Sequence, residues 1–349
     1  MKLLHTILLL PCLTTNFNIY IPMYYNYSDN STDMNKEALY GLNEIMKVYN
    51  PVASYHINDA SIRQTLGKGV FICRYCGKTK PEVSFKSKAH AIPHFIGNNI
   101  LFTDRECDGC NGKFGRMLEN QFAGFMHLEH TVSGVRGKRG YPKFKSSDAI
   151  IETTGSFVDW KDIPDENLDY DQKTRTLKIE QKMPTFIPLA VFKCLVKIAV
   201  TIMPEEDILD FKDTITWLNE ENHQSGDFNL KYLWLVHGKS SSIDQFAELS
   251  AILVKKNVTG PADMPYMMLR LTYSNFLFQV PIPLCKKDDS SLKMNIPYIP
   301  SLLDLEHGFG RMKLTLMDMH SPEPFKGAEI DFTFNDLDGT STYEIVDES

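Results

Sequence analysis

No run in this sequence approaches the roughly 20 apolar residues that a membrane-spanning helix needs, so no membrane partner is expected. No segment repeats, which excludes a solenoid or propeller array. Positive charge is short overall: the formal net charge is −7, which argues against a protein that binds nucleic acid along its whole surface. Cysteines number only seven in 349 residues; they could form disulfides, but four of them fall as close pairs that suit a metal better than bridges. What remains is a chain with 43% hydrophobic residues, ordinary for a folded protein and long enough for two modest domains.

The charge is unevenly spread. From Gly67 to Lys145 there are 14 Lys or Arg against 6 Asp or Glu, so that window carries +8 and the rest −15. Four cysteines lie in the same window as two Cys-x-x-Cys pairs, Cys73/Cys76 and Cys107/Cys110. That spacing suits one tetrahedral zinc held by four thiolates and points to a reducing, cytoplasmic compartment. Cys12, Cys194 and Cys285 stand singly in apolar surroundings, as buried free thiols do.

Five regions are expected. Residues 1–66 form an N-terminal extension; its opening "MKLLHTILLLPCL" invites a signal-peptide reading, but Pro11 interrupts the short apolar run, and a buried strand explains it as well. Leu39, Leu42, Ile45, Met46 and Tyr49 recur at helical spacing. Residues 67–130 read as strand ("EVSFKSKAHAIP"), strand ("NNILFTDREC") and helix, the last with Phe114, Met117, Leu118, Phe122 and Phe125 on one face. Asn111, Gly115 and Glu119 fall on a second common face at i, i+4 and i+8. Residues 131–147 are a basic, glycine-rich linker whose Arg136, Lys138 and Arg139 could grip phosphate. Residues 148–327 alternate strand-like and helix-like stretches, giving an α+β domain with an antiparallel sheet and no evident chemical motif. The last stretch, 328–349, has seven acids and no base and is expected to be a solvated tail.

The order of "AHAIP", "GNN" and "ECDGCN..FG...E" between and after the cysteine pairs resembles the HNH endonuclease superfamily over roughly residues 70–127. The resemblance implies a zinc-stapled ββα-metal fold and a metal-dependent endonuclease that hydrolyses phosphodiester bonds in DNA, with RNA as a further substrate class. It makes His90, before Ile-Pro, the general base, and Asn111, after the last cysteine, a ligand of the catalytic ion. The family's middle asparagine corresponds to Asn98 or Asn99, with Asn99 taken for the site. The family commonly has an acidic residue just before the base, where this chain has Ala89. Glu119 or His94 is the expected replacement, with Asp104 and Asp108 as further options.

The catalytic cation would be Mg²⁺, Mn²⁺, Ni²⁺ or Zn²⁺; a His plus Asn site suits the last three better. Lys86, Lys88, Lys113 and Arg116 flank the site as phosphate-binding candidates. One small site cuts one strand, so double-strand cutting calls for a homodimer or repeated nicking. Proteins of this plan often serve phage defence or mobile elements. The competing reading, favoured by Ala89, is a zinc-stabilised nucleic-acid-binding module that has lost catalysis.

Overall fold

The computed structural model describes residues 4–7, 13–16, 43–335 and 343–346, apart from 59, 138–139, 147–148, 155–157, 172, 175, 224–227, 229, 231, 241–245, 247, 290, 293, 300–312 and 327–328. Two N-terminal strands, β1 (Leu4–Ile7) and β2 (Leu13–Asn16), precede a helical turn at residues 43–48 (α1) and a long strand, β3 (Tyr49–Ile57). The cysteine region contains β4 (Gln64–Leu66), β5 (Ala89–His90) and β6 (Leu101–Thr103). It continues into α2 (Asp108–Phe114), a π turn at Gly115–Glu119, and α3 (Asn120–Val132).

Short strands follow at β7 (Lys143–Lys145), β8 (Ile150–Thr153), β9 (Val158–Lys161), β10 (Leu168–Asp171) and β11 (Thr176–Lys182). Helices α4 (Pro188–Ile202) and α5 (Lys212–Leu218) lead to β12 (Trp234–Lys239), β13 (Leu249–Lys256), β14 (Met267–Tyr273) and β15 (Phe276–Pro281). The described chain closes with β16 (Lys313–Asp318), β17 (Glu329–Asn335) and β18 (Tyr343–Val346).

The fold is α+β, as expected. Its largest sheet has six strands in the order β16-β12-β15-β14-β13-β3, and every pairing in it is antiparallel. β3, counted above with the N-terminal extension, is thus an edge strand of the large sheet. Every residue of the central strands β14 and β15 is buried, so the middle of the sheet is covered on both faces, while the edge strand β3 keeps exposed positions.

Helix α4 is the element that joins the two halves. All 15 of its residues are buried, as befits a helix apolar nearly all round. It packs on β14 and β15 on one side and on α3 and the π turn on the other. One hydrophobic core therefore runs from Phe114 and Leu118 in the cysteine region to Leu271 and Phe278 in the large sheet.

Two expectations are corrected. The acidic stretch from Ala328 is not simply a solvated tail: β17 pairs with β11 and β2, and β18 pairs with β1. Ile330, Phe332 and Phe334 alternate with the polar positions of β17, and that period of two outweighs the charge between them. Likewise the region taken as a linker contains β7, which pairs with β8 and buries Phe144 between two exposed lysines.

His130, at the end of α3, is buried and bonds Tyr273 Oη of β14 through Nε2 at 2.9 Å. Burial first, and His127 second, pull its pKa from the usual histidine range to about 3. The unfolded chain therefore binds a proton that the folded chain refuses between about pH 6.5 and 3. Stability is expected to fall as pH drops through that window, each unit of depression being worth about 1.4 kcal/mol. In urea titrations between pH 7 and 4, His130→Gln should flatten the dependence. An unchanged slope would place the acid sensitivity elsewhere.

Candidate metal centre and active site

The four cysteines converge. Cys73, Cys76, Cys107 and Cys110 offer sulfurs that all lie within 4.8 Å of one another, and Cys76 Sγ lies 3.8 Å from Cys107 Sγ. Sulfurs on a tetrahedral zinc, with bonds of about 2.3 Å, would be about 3.8 Å apart. The first pair sits in a tight turn closed by Gly77 N–H on Cys73 O (2.8 Å), where Gly77 adopts φ +70°. The second opens α2: Cys107 is its N-cap, and its sulfur accepts from Cys110 N–H.

A helix N-terminus favours anionic sulfur. Cys73 is drawn down to about 4, chiefly by a hydrogen bond from Cys110 and further by backbone N–H groups of Cys107, Cys76 and Tyr75, against the effect of burial. Cys110 is pushed up in return by holding the shared proton. Four close sulfurs competing for protons are a donor set that a divalent cation fits.

Between the pairs, the expected first strand shrinks to Ala89–His90. Asp108 at the start of α2 captures the backbone N–H groups of Lys86 (3.0 Å) and Ser87 (2.8 Å) and the Ser84 hydroxyl (2.5 Å), so residues 84–87 wrap round the helix end and cannot pair as a strand. These bonds, the Ser84 hydroxyl first, hold Asp108 below the usual carboxylate range. Asp108 is therefore a loop anchor. Asp104 is another, accepting from Gly69 N–H at 2.9 Å.

His90 is half-buried on β5, directly opposite Phe102 on β6. Its ring lies 4.7 Å from the Phe102 ring and 5.2 Å, edge to face, from the ring of His94. The loop that returns from His90 to β6 is held by Asn98, which is fully buried. Its amide donates to Ile92 O (2.6 Å) and Leu101 O (2.8 Å), and its carbonyl accepts from Ile100 N–H (3.1 Å) and Leu101 N–H (2.8 Å). Asn98, and not the exposed Asn99, steadies the loop.

A hairpin bracketed by a four-cysteine cluster presents a histidine and is followed by a helix. Residues 73–126 match the HNH endonuclease family. No curated protein and no solved structure matches the chain.

The HNH module does not gather all the residues expected of it. Asn111 follows Cys110 on α2, half-buried, with its backbone N–H on Cys107 O. Glu119 is turned elsewhere: its carboxylate lies 3.7 Å from Lys197 Nζ of α4. The π turn at Gly115–Glu119 breaks the simple i, i+8 relation with Asn111, and the buried lysine claims the carboxylate. Among the described residues, the four cysteines are the group of three or more His, Cys, Asp or Glu side chains close enough to hold an ion. His90, His94 and Glu119 do not form a second one. His94 Nδ1 is nonetheless buried with no hydrogen-bond partner.

Of the phosphate candidates, Lys113 is spent on Asn219, bonding its backbone and side-chain oxygens. Lys86, Lys88 and Arg116 are exposed. Arg136 stacks over Tyr141 at 4.9 Å, and Lys138 and Arg139 lie outside the described residues.

Three contacts were not anticipated. Arg74, inside the first cysteine pair, donates to the carbonyls of Val200 (2.5 Å), Thr201 (3.0 Å) and Met203 (2.9 Å) at the end of α4. Tyr75 Oη bonds Lys197 O and Thr201 Oγ1. Lys197 and Glu106, both fully buried, pair at 3.0 Å. Two lysines, 193 and 197, spaced by four in an otherwise apolar helix were the sequence signal, since each needs a partner once buried.

Proposed function

We propose that this protein is an HNH-type endonuclease that hydrolyses phosphodiester bonds in DNA, with His90 as general base and zinc as the ion of the four-cysteine site. The observation that carries this reading is the placement of His90. It sits at the rim of a hairpin locked by Asn98 and the cysteine centre, inside the segment that matches the family.

His90 accepts a proton from water as the water oxygen attacks phosphorus. The bond from phosphorus to the bridging oxygen breaks, and the leaving oxygen takes up a proton from solvent. Base catalysis of this kind is worth about 10²–10⁴-fold. The second ion of such enzymes, a divalent cation, has His94, with its unpartnered Nδ1, and Asn111 as candidate holders. When bound, it would stabilise the charge that builds on the phosphate oxygens. The exposed Lys88 and Arg116, with Arg136, supply positive charge for the nucleic-acid backbone. A cytoplasmic enzyme of phage defence or of a mobile element, paired as a homodimer when both strands are cut, fits this reading.

One observation favours a second reading. Ala89, where the family commonly has an acid, is buried at 1% exposure and offers no ligand. A module that binds nucleic acid without cutting it would tolerate that.

Nicking of supercoiled plasmid with EDTA, Mg²⁺, Mn²⁺ or Ni²⁺ separates the two. Wild-type protein should nick with at least one ion. His90→Ala should be slower by about 10²–10⁴-fold while keeping its cysteine-bound metal and its affinity for DNA. Equal nicking by both proteins would remove His90 from the chemistry.

A further inference from the structure

We infer that Arg63 is a phosphate-holding residue of the His90 site, binding a backbone phosphate of the nucleic-acid substrate; this rests on the nuclease reading. Arg63 lies outside the segment that matches the family, just before β4. That strand is an addition to the hairpin. It pairs in parallel with β6 (Thr65 opposite Phe102), on the edge of β6 away from β5.

Residues paired across a sheet share a face, and residues two apart along a strand do so too. Thr65, Phe102 and His90 therefore line one face, and the extended chain before Thr65 brings Arg63 to it. The contact is direct: the Arg63 guanidinium carbon sits 4.5 Å above the centre of the Phe102 ring, whose other ring neighbour, at 4.7 Å, is His90. The Phe102 ring thus contacts both the cation and the proposed base.

Stacking on an aromatic face fixes a guanidinium while leaving its N–H fork open, and that fork matches two oxygens of a phosphate. Arg63 is exposed and has no carboxylate partner among the described residues. Several other cations of the region are already committed. Arg74 and Arg105 both pair with Glu205, and Lys113 bonds Asn219. Among the described residues, Arg63 is a guanidinium without a carboxylate partner that lies on the ring packed against His90.

The test compares wild type, Arg63→Ala and Arg63→Lys in steady-state cleavage of a labelled duplex. In parallel, duplex binding is followed by fluorescence anisotropy over a salt series, with each change made in a His90→Ala background so that nothing is cut. Arg63→Ala should lower kcat/KM at least tenfold, with Arg63→Lys recovering part of the loss because charge returns without the fork. The slope of log affinity against log salt should become shallower by about one unit in Arg63→Ala. An unchanged slope overturns the inference whether or not the wild type cuts. An unchanged kcat/KM with a cutting wild type overturns it too. A wild type that never cuts, with the slope still reduced, defeats the nuclease reading and leaves Arg63 as a phosphate contact.

Discussion

Replacing Cys107 with Ser, or stripping the metal with a chelator, is expected to unfold the HNH module and to loosen helix α4 with it. The four sulfurs crowd within 4.8 Å, a cluster that only a cation makes favourable once the thiols ionise. Structural zinc sites of this type contribute apparent free energies of about 10–16 kcal/mol in small peptides, comparable to the whole stability of a domain.

The effect should travel because Arg74 and Tyr75, inside the first cysteine turn, satisfy carbonyl groups near and beyond the end of α4. A helix end deprived of such partners frays. Hydrogen exchange read by mass spectrometry should show residues 196–203 losing protection together with residues 73–119 when metal is removed. Protection lost in the module alone would mean that the cysteine turn does not brace the helix.

Lys197→Met is expected to destabilise the protein by about 3–5 kcal/mol, the usual cost of leaving one member of a buried ion pair alone. Lys197 and Glu106 are both fully buried and lie 3.0 Å apart, with Glu119 3.7 Å from the same amine. Burial pushes the Glu106 carboxyl up, and Lys197 offsets this in part. Burial alone would lower Lys197, but Glu106, Tyr75 and Glu119 together hold it protonated.

Removing the amine strands a carboxylate in the core. Urea unfolding should therefore show a large loss for Lys197→Met and a substantial recovery in the double variant Lys197→Met/Glu106→Gln, because a neutral amide costs far less to bury. Equal losses in single and double variants would show that the two groups are not coupled.

The cysteine centre was legible in the sequence because its chemistry is local: two close pairs of ligands, one pair at a helix start. The order of the hairpin, the loop and the helix was legible for the same reason. The choice between Asn98 and Asn99 was not, since adjacent asparagines carry the same sequence signal and only the folded loop shows which one is buried among four backbone partners.

The partner of Glu119 was not legible because helical spacing predicts a face but not what lies opposite it. Lys197 arrives from α4, far along the chain, and a π turn alters the register. β17 was missed because a run of acids obscured an apolar alternation that matters only once β11 lies beside it. Arg63 carries no motif at all. Its position depends on a parallel pairing between β4 and β6, which no local pattern encodes.

If the imidazole of His90 carries the proton transfer in phosphodiester cleavage, free imidazole should be able to replace it. His90→Gly removes the ring and leaves a space beside Phe102 and His94. This variant, with the metal content of its cysteine site unchanged, is expected to nick plasmid about 10²–10⁴-fold more slowly than wild type. Added imidazole should restore part of the rate in proportion to its unprotonated concentration. A His90→Gly protein that nicks at the wild-type rate without imidazole would show that His90 is not the base.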